Sequence, residues 1–196
     1  MSFLRDLAGR WPYFAFAAAV LVLDQLTKIF AHAYLRGVSP RAIVPGLFNL
    51  SYSRNPGGLF GYFGDLGDPW RTLLLTLLPL VAIGLITVFI ARSDLAHRTT
   101  RFGLALILGG AVGNLVDRLI RGEVVDFFDV YASSGGLADW LVDKFGTAHW
   151  PTFNVADSAI VVGACLLILD MFRTQPGESD AASNRTAPEA ENRDAG

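Results

Sequence analysis

Cysteine is almost absent from this chain. Cys165 stands alone, so no intramolecular disulfide can form and cysteine usage does not reveal a redox compartment. Set in an apolar run, it reads as core filler. A basic surplus is missing too: the formal net charge is −2, which argues against a nucleic-acid partner. Histidine is scarce. His32, His97 and His149 fall in separate loops, and none has metal-binding spacing such as H-E-x-x-H. There is no G-x-S-x-G, no P-loop and no evident internal repeat. Nucleophile-elbow hydrolases and nucleotide enzymes are thereby set aside, and repeat-built transporters are disfavoured.

What the chain has is apolar sequence in blocks. Hydrophobic residues make up 52%, above the 45–50% usual for soluble domains, and they cluster at Trp11 to Phe30, Thr72 to Ala91, Phe102 to Val116 and Phe153 to Phe172. A bilayer core needs roughly 20 apolar residues as helix. The second block meets this alone. The others reach it only if their polar residues lie near an end or face other helices. The expectation is four membrane helices at about 11–31, 71–92, 102–120 and 153–172, with loops at about 32–69 and 121–152. Ala31-His32-Ala33 behind an apolar run resembles a signal-peptide cleavage site, but Asp24 and Lys28 intervene, so the first block reads as a retained helix.

In the first long loop, Phe48, Leu50 and Tyr52 alternate with Asn49, Ser51 and Ser53, which predicts a strand. Asn55-Pro56-Gly57-Gly58 then reads as a turn. The β-branched and aromatic run Val124 to Phe128 is suited to pair with that strand on the same side of the membrane. Leu137, Trp140, Leu141 and Phe145 are spaced as one face of a short amphipathic helix, with a packed loop as the alternative. Residues 174–196 are polar, lack aromatics and read as a disordered tail. Lys and Arg divide almost evenly between the two sides, so charge barely orients the chain. The density of Arg92, Arg98 and Arg101 in one short loop points that loop to the cytoplasm.

Ionisable residues within these spans cost about 2.5–3.5 kcal/mol each at a bilayer centre, so they mark function by default. Asp24 and Lys28 are spaced as an ion pair on one helix face, which makes Asp24 a poor proton donor and favours a structural role. Asn114 and Asp117 share a face, and adjacent Arg118 is the expected partner of Asp117. Gly109 and Gly113 allow another helix to come close. Asp126 and Asp157 differ from these. No basic residue neighbours either, and burial of Asp126 between Val124-Val125 and Phe127-Phe128 would raise its pKa. Asn154, three residues before Asp157, is placed to cap the last helix. The third span ends where the fourth begins, so Asp126 and Asp157 lie at one depth. Two carboxylates about 3 Å apart cannot both ionise and therefore share a proton. Such a pair activates water as a base and protonates a leaving amine as an acid. The sequence leaves open which member holds the proton.

At five places the chain resembles the lipoprotein signal peptidases, or signal peptidase II: Asp24-Gln25-Leu26-Thr27-Lys28, Asn55-Pro56-Gly57-Gly58-Leu59-Phe60, Gly113-Asn114-Leu115-Val116-Asp117-Arg118, Val124-Val125-Asp126-Phe127 and Phe153-Asn154-Val155-Ala156-Asp157. The resemblance implies an all-α membrane fold with a small β element: four transmembrane helices and a periplasmic β-cradle in residues 1–173, then a cytoplasmic tail. It implies an aspartic endopeptidase of the bacterial inner membrane that removes signal peptides from prolipoproteins before a diacylglyceryl-modified cysteine. The implied catalytic pair is Asp126 and Asp157. Asp24, Lys28, Asn55, Asn114, Asp117, Arg118 and Asn154 would support the site or bind substrate. No metal and no cofactor are expected, and the partners would be prolipoproteins and membrane lipids, acted on by a monomer with both termini cytoplasmic. Gly57-Gly58-Leu59-Phe60 stands where the family usually has Gly-Ala-Ala-Phe. Residues 131–150 are longer than expected of the family and read as an enlarged flap. A proton-relaying transporter would instead use Asp24, Asp117 and Asp157 and show ion flux without cleavage; a scaffold would tolerate isosteric changes at Asp126 and Asp157.

Overall fold

A computed structural model of the chain describes residues 9–57, 68–92 and 98–173. The tail at 174–196 and Gly58, Leu59 and Phe60 of the departing motif lie outside the described residues. Four helices are long and apolar enough to cross a membrane: α1 (Trp11–Tyr34), α2 (Asp68–Arg92), α3 (Arg98–Arg121) and α5 (Val155–Arg173). Between them lie the strands β1 (Arg41–Val44), β2 (Phe48–Asn55) and β3 (Val124–Val130), and a short helix α4 (Gly136–Phe145). The architecture is thus a membrane helix bundle carrying one small sheet.

Helix α1 opens on Pro12, where the missing N–H costs nothing. Its buried residues are Tyr13, Ala17, Val20, Asp24, Lys28 and Ala31, a single stripe at three- and four-residue spacing. The remaining faces expose Val22, Leu23, Leu26 and Ile29, which is what lipid requires of a span. Helix α2 goes further, burying little beyond Ile90. Helix α3 is the hub that contacts the other three spans. It can do so because two of its faces are made of glycine. A Cβ on Gly109 would lie 2.6 Å from the Ala17 carbonyl oxygen of α1, and one on Gly110 would run into the Ala156 carbonyl oxygen of α5. These contacts exclude any side chain, so the backbones meet directly. Cys165 is exposed on α5, not core filler: the apolar run around it is apolar because it faces lipid.

The sheet is antiparallel in the order β1-β2-β3. Phe48 pairs with Val130 and Ser53 with Asp126, with an irregularity between Leu50 and Ser53. Val125 and Phe127 of β3 form a buried cluster with Ala31 of α1 and Leu35 just after it, and Leu50, Tyr52 and Phe128 pack against that cluster, so the sheet sits on the end of α1. Strand β1, bracketed by Pro40 and Pro45, is exposed at every position and offers no alternation to read. Helix α5 begins two residues later than the apolar block, because Phe153 is still extended: its carbonyl accepts the amides of Phe127 and Phe128 at 3.0 and 2.8 Å.

The excursion between β3 and α5 holds α4 in a small core of its own, with Ala132, Ala138 and Leu141 buried and Phe145 and Ala148 packed against them. Leu137 and Trp140, expected on the same face as Leu141, are exposed instead. The inward stripe runs through Ala138, which a search for large apolar residues passes over.

Candidate active site

Asp126 reaches the site because β3 starts immediately after α3. Gly122, at φ 75, makes the left-handed turn that ends the helix, and its N–H closes on the Arg118 carbonyl at 3.1 Å. Asp157 reaches it as the third residue of α5. The Asn154 side chain accepts the Asp157 amide at 3.0 Å, while the Asp157 carboxylate accepts the Asn154 amide at 3.1 Å. This is a capping box, with both helix-end donors satisfied reciprocally.

Asn154 also does something a cap need not do. Its Nδ2 donates to Asp126 Oδ1 at 2.7 Å. One residue therefore ties the two aspartates together. Each carboxylate has a second amide donor: Asn55 Nδ2 to Asp126 Oδ2 at 3.1 Å, and Asn114 Nδ2 to Asp157 Oδ1 at 2.7 Å. Asp126 is 1% exposed. Burial, and next the nearby Asp157 charge, push its pKa up to about 7, against the opposing hydrogen bonds from Asn55 and Asn154 and the charge of Lys28.

Beneath the pair lies a buried charge cluster. Lys28, Asp24 and Asp117 are all fully buried. The Lys28 ammonium donates to Asp24 Oδ2 at 2.9 Å, Asp117 Oδ2 at 3.1 Å and Asn114 Oδ1 at 2.9 Å, which uses all three of its hydrogens. The two carboxylates then reach outward. Asp24 Oδ1 accepts the Ala156 amide at 2.9 Å, and Asp117 Oδ2 accepts the Val125 amide at 3.1 Å. Each grips the residue adjoining one aspartate of the pair. The cluster thus positions the pair without touching the space between its members. Because Asn114 Oδ1 faces the ammonium, its Nδ2 must face Asp157, which fixes the amide orientation.

The partner of Asp117 is not the adjacent Arg118. Asp117 pairs with Lys28 and with Arg121, one helical turn on. Neighbours in sequence point to different faces of a helix, whereas residues four apart meet. The Arg118 guanidinium instead lies in the field of Asp157, Asp126 and Asp117, and among the described residues it makes no ion pair. Among the described residues no three His, Cys, Asp or Glu side chains gather as a metal site would require.

Comparison with known proteins fits this arrangement. The model of the signal peptidase (SPase) II family matches residues 16–173. Lipoprotein signal peptidases of Solibacter usitatus, Geobacter metallireducens and Pseudomonas aeruginosa are 38%, 40% and 37% identical to this chain, over 84%, 83% and 87% of it and 92%, 91% and 93% of their own lengths. The chain belongs to the signal peptidase II family. Two bacterial membrane enzyme structures, determined by the in meso method at 2.3 and 1.9 Å, share the fold at TM-scores of 0.65 and 0.68 and 22% identity. They cover 92% and 84% of this chain, and 94% of each of those chains is covered.

In this signal peptidase II relative, every site residue expected from the sequence falls into the pair or the cluster below it, with Arg118 alongside. Two members escaped the sequence reading. Gln25 Nε2 lies 3.1 Å from Asp24 Oδ2 and from the Gly113 carbonyl, and 3.2 Å from Asp117 Oδ1. Arg121 donates to Gln25 Oε1 at 3.2 Å as well as to Asp117. The signal for Gln25 was an amide beside Asp24 in an otherwise apolar stretch. The signal for Arg121 was its four-residue spacing from Asp117.

Proposed function

We propose that this signal peptidase II family member is an aspartic endopeptidase that removes signal peptides from prolipoproteins, cutting before a diacylglyceryl-modified cysteine. The observation that carries the mechanism is Asn154, which ties the Asp126 and Asp157 carboxylates to one another.

The chemistry divides by environment. Asp126, whose pKa burial and the Asp157 charge raise to about 7, is assigned the proton, and it donates a hydrogen bond to the scissile carbonyl oxygen and polarises it. Asp157, whose carboxylate accepts Asn114 Nδ2 and the Asn154 amide, is assigned as the base. It takes a proton from water, and the resulting hydroxide adds to the carbonyl carbon. The Asp126 proton passes to the developing oxyanion. As the tetrahedral species collapses, that proton returns to Asp126 and the Asp157 proton goes to the leaving amine. No covalent intermediate forms. Arg118, close to both carboxylates in charge terms, is placed to hold the substrate backbone.

The substrate's signal helix would enter sideways from lipid, past the exposed apolar faces of the bundle, with its acyl chains remaining in the bilayer. With four spans crossing the bilayer in turn, the described chain would start and finish on the same side, opposite the sheet. We assign that side to the cytoplasm and the sheet and dyad to the periplasmic face of the bacterial inner membrane. We take the protein to act as a monomer.

The test is to incubate the purified protein with a diacylglyceryl-modified prolipoprotein and its unmodified counterpart, and to identify the products by mass spectrometry. A single cut immediately before the lipidated cysteine, absent from the unmodified protein, is expected. Cleavage elsewhere, or equal cleavage of both substrates, would reject the substrate assignment.

A further inference from the structure

The excursion between β3 and α5 carries an open cavity of about 620 Å³, within the range typical of small-molecule sites. Nothing in the peptidase chemistry uses it. Trp150 donates its amide to the Val130 carbonyl at 2.8 Å, which pins the cavity to the far end of β3. Val130 is four residues from Asp126, or about 13 Å along a strand. Among the described residues, no hydrogen bond joins Lys144, Thr147 or His149 of the cavity to either aspartate.

We propose that this cavity binds the phosphate-bearing headgroup of an anionic membrane lipid. Three observations lead there. The first is the chemistry of the walls. Lys144, Thr147 and His149 line the cavity with Trp140, Phe145 and Trp150, and no carboxylate does. The Trp140 indole N–H and the Thr147 hydroxyl have no hydrogen-bond partner among the described residues. A lining of donors and one fixed cation without an acid suits an anion. Lys144 does pair with Asp143, but both side chains are more than half exposed, and such a pair holds its members weakly.

The second observation is the aromatic frame. The Trp140 and Trp150 rings lie nearly parallel, at 11° and 6.4 Å between centroids, and Phe145 meets both edge-on. Indoles favour the boundary between headgroups and acyl chains, where one end is apolar and the other wet. The third is depth. Pro151, on the cavity wall, lies four residues before Val155, where α5 enters its membrane span. The cavity therefore opens at headgroup level, and α4, which supplies Trp140 and Lys144 to its wall, also exposes the apolar Leu137 and Val142. A free phosphate would satisfy Lys144 but would leave the aromatic frame and these apolar neighbours unused.

The site is also built to stay in place. His149 Nδ1 bonds Asp129 at 2.7 Å, Asp129 is buried and accepts Asn49 Nδ2 at 2.9 Å, and the His149 ring stacks on Tyr131 at 5.2 Å. The neck of the excursion is thereby clasped to β2 and β3 whether or not the cavity is filled.

The test uses the full chain in zwitterionic micelles with Trp11→Phe and Trp70→Phe, so that Trp140 and Trp150 report. It is titrated with dihexanoyl phosphatidylglycerol, dihexanoyl phosphatidylcholine and inorganic phosphate, and tryptophan fluorescence is read. The expected result is a saturating change with phosphatidylglycerol, little with phosphatidylcholine, and affinity about tenfold weaker in Lys144→Gln but restored in Lys144→Arg. An equal response to both lipids, or one that Lys144→Gln leaves unchanged, would overturn the proposal. Inorganic phosphate binding as tightly as the lipid would overturn it too, making this a site for the free anion. Neither arm measures peptide cleavage, so the outcome stands apart from the peptidase reading.

Discussion

Asn154 ends an extended segment, caps a membrane helix and spans two acids, and these roles share one geometry. The Asn-x-x-Asp spacing made the cap legible in the sequence. The bond to Asp126 was not legible, because it depends on where β3 lies relative to α5. The same holds for Asp126 itself. Its apolar neighbours announced burial, but the Asn55 donor comes from a strand position 71 residues earlier. The raised pKa gives a prediction with a definite sign. An unfolded chain releases the Asp126 proton near 3.8 and the folded chain near 7, so the folded state binds more protons between those values, and this residue's contribution to stability falls as pH rises through that window. Activity that needs protonated Asp126 should likewise fall above about pH 7 with a one-proton slope. Asn55 stabilises the charged form, so Asn55→Ala should move that limb to higher pH. A pH–rate profile of kcat/KM checks both, and a limb unmoved in the variant would count against the assignment.

At the scale of elements, the third span decides the site. Its apolar block reads short, at Phe102 to Val116, because Asn114, Asp117 and the glycines interrupt it. The expected helix at about 102–120 is observed at Arg98–Arg121, and what the sequence did not show is that those polar residues are buried in protein and not in lipid. Periodicity could not reveal this, since hydropathy treats an acid matched to a buried lysine like any other acid. Removing one member of such a buried ion pair typically costs about 3–5 kcal/mol, so Asp24, Lys28 and Asp117 form a positioning unit that stands or falls together. The glycine contacts set how closely α3 and α5 approach. Gly110→Ala forces a methyl against the Ala156 carbonyl oxygen, one residue from Asp157. It should lower both thermal stability in detergent and cleavage rate. Gly84→Ala on α2, where nothing lies within 4 Å, should change neither. Equal effects of the two variants would contradict this packing account.

Across the whole molecule, the four spans and the strand at 48 to 53 were readable because lipid and sheet impose simple periods on sequence. Exposed β1 and the inward face of α4 were not, because neither presents a run of large apolar residues. The membrane explains the division of labour. The outer surfaces of α1, α2 and α5 are apolar, and polarity is drawn inward to the sheet end of the bundle, where the two aspartates meet amide donors and little water. The central claim is that Asp126 and Asp157 act as one catalytic pair. The most direct test is cleavage of a diacylglyceryl-modified prolipoprotein by wild type, Asp126→Asn and Asp157→Asn, each shown by thermal melting to be folded. Asparagine keeps the shape and removes the titrating proton. Both variants should lose nearly all activity, at least a hundredfold by the usual worth of an acid–base group, about 10²–10⁴. Near-normal turnover by either folded variant would contradict the account and return that residue to a structural role.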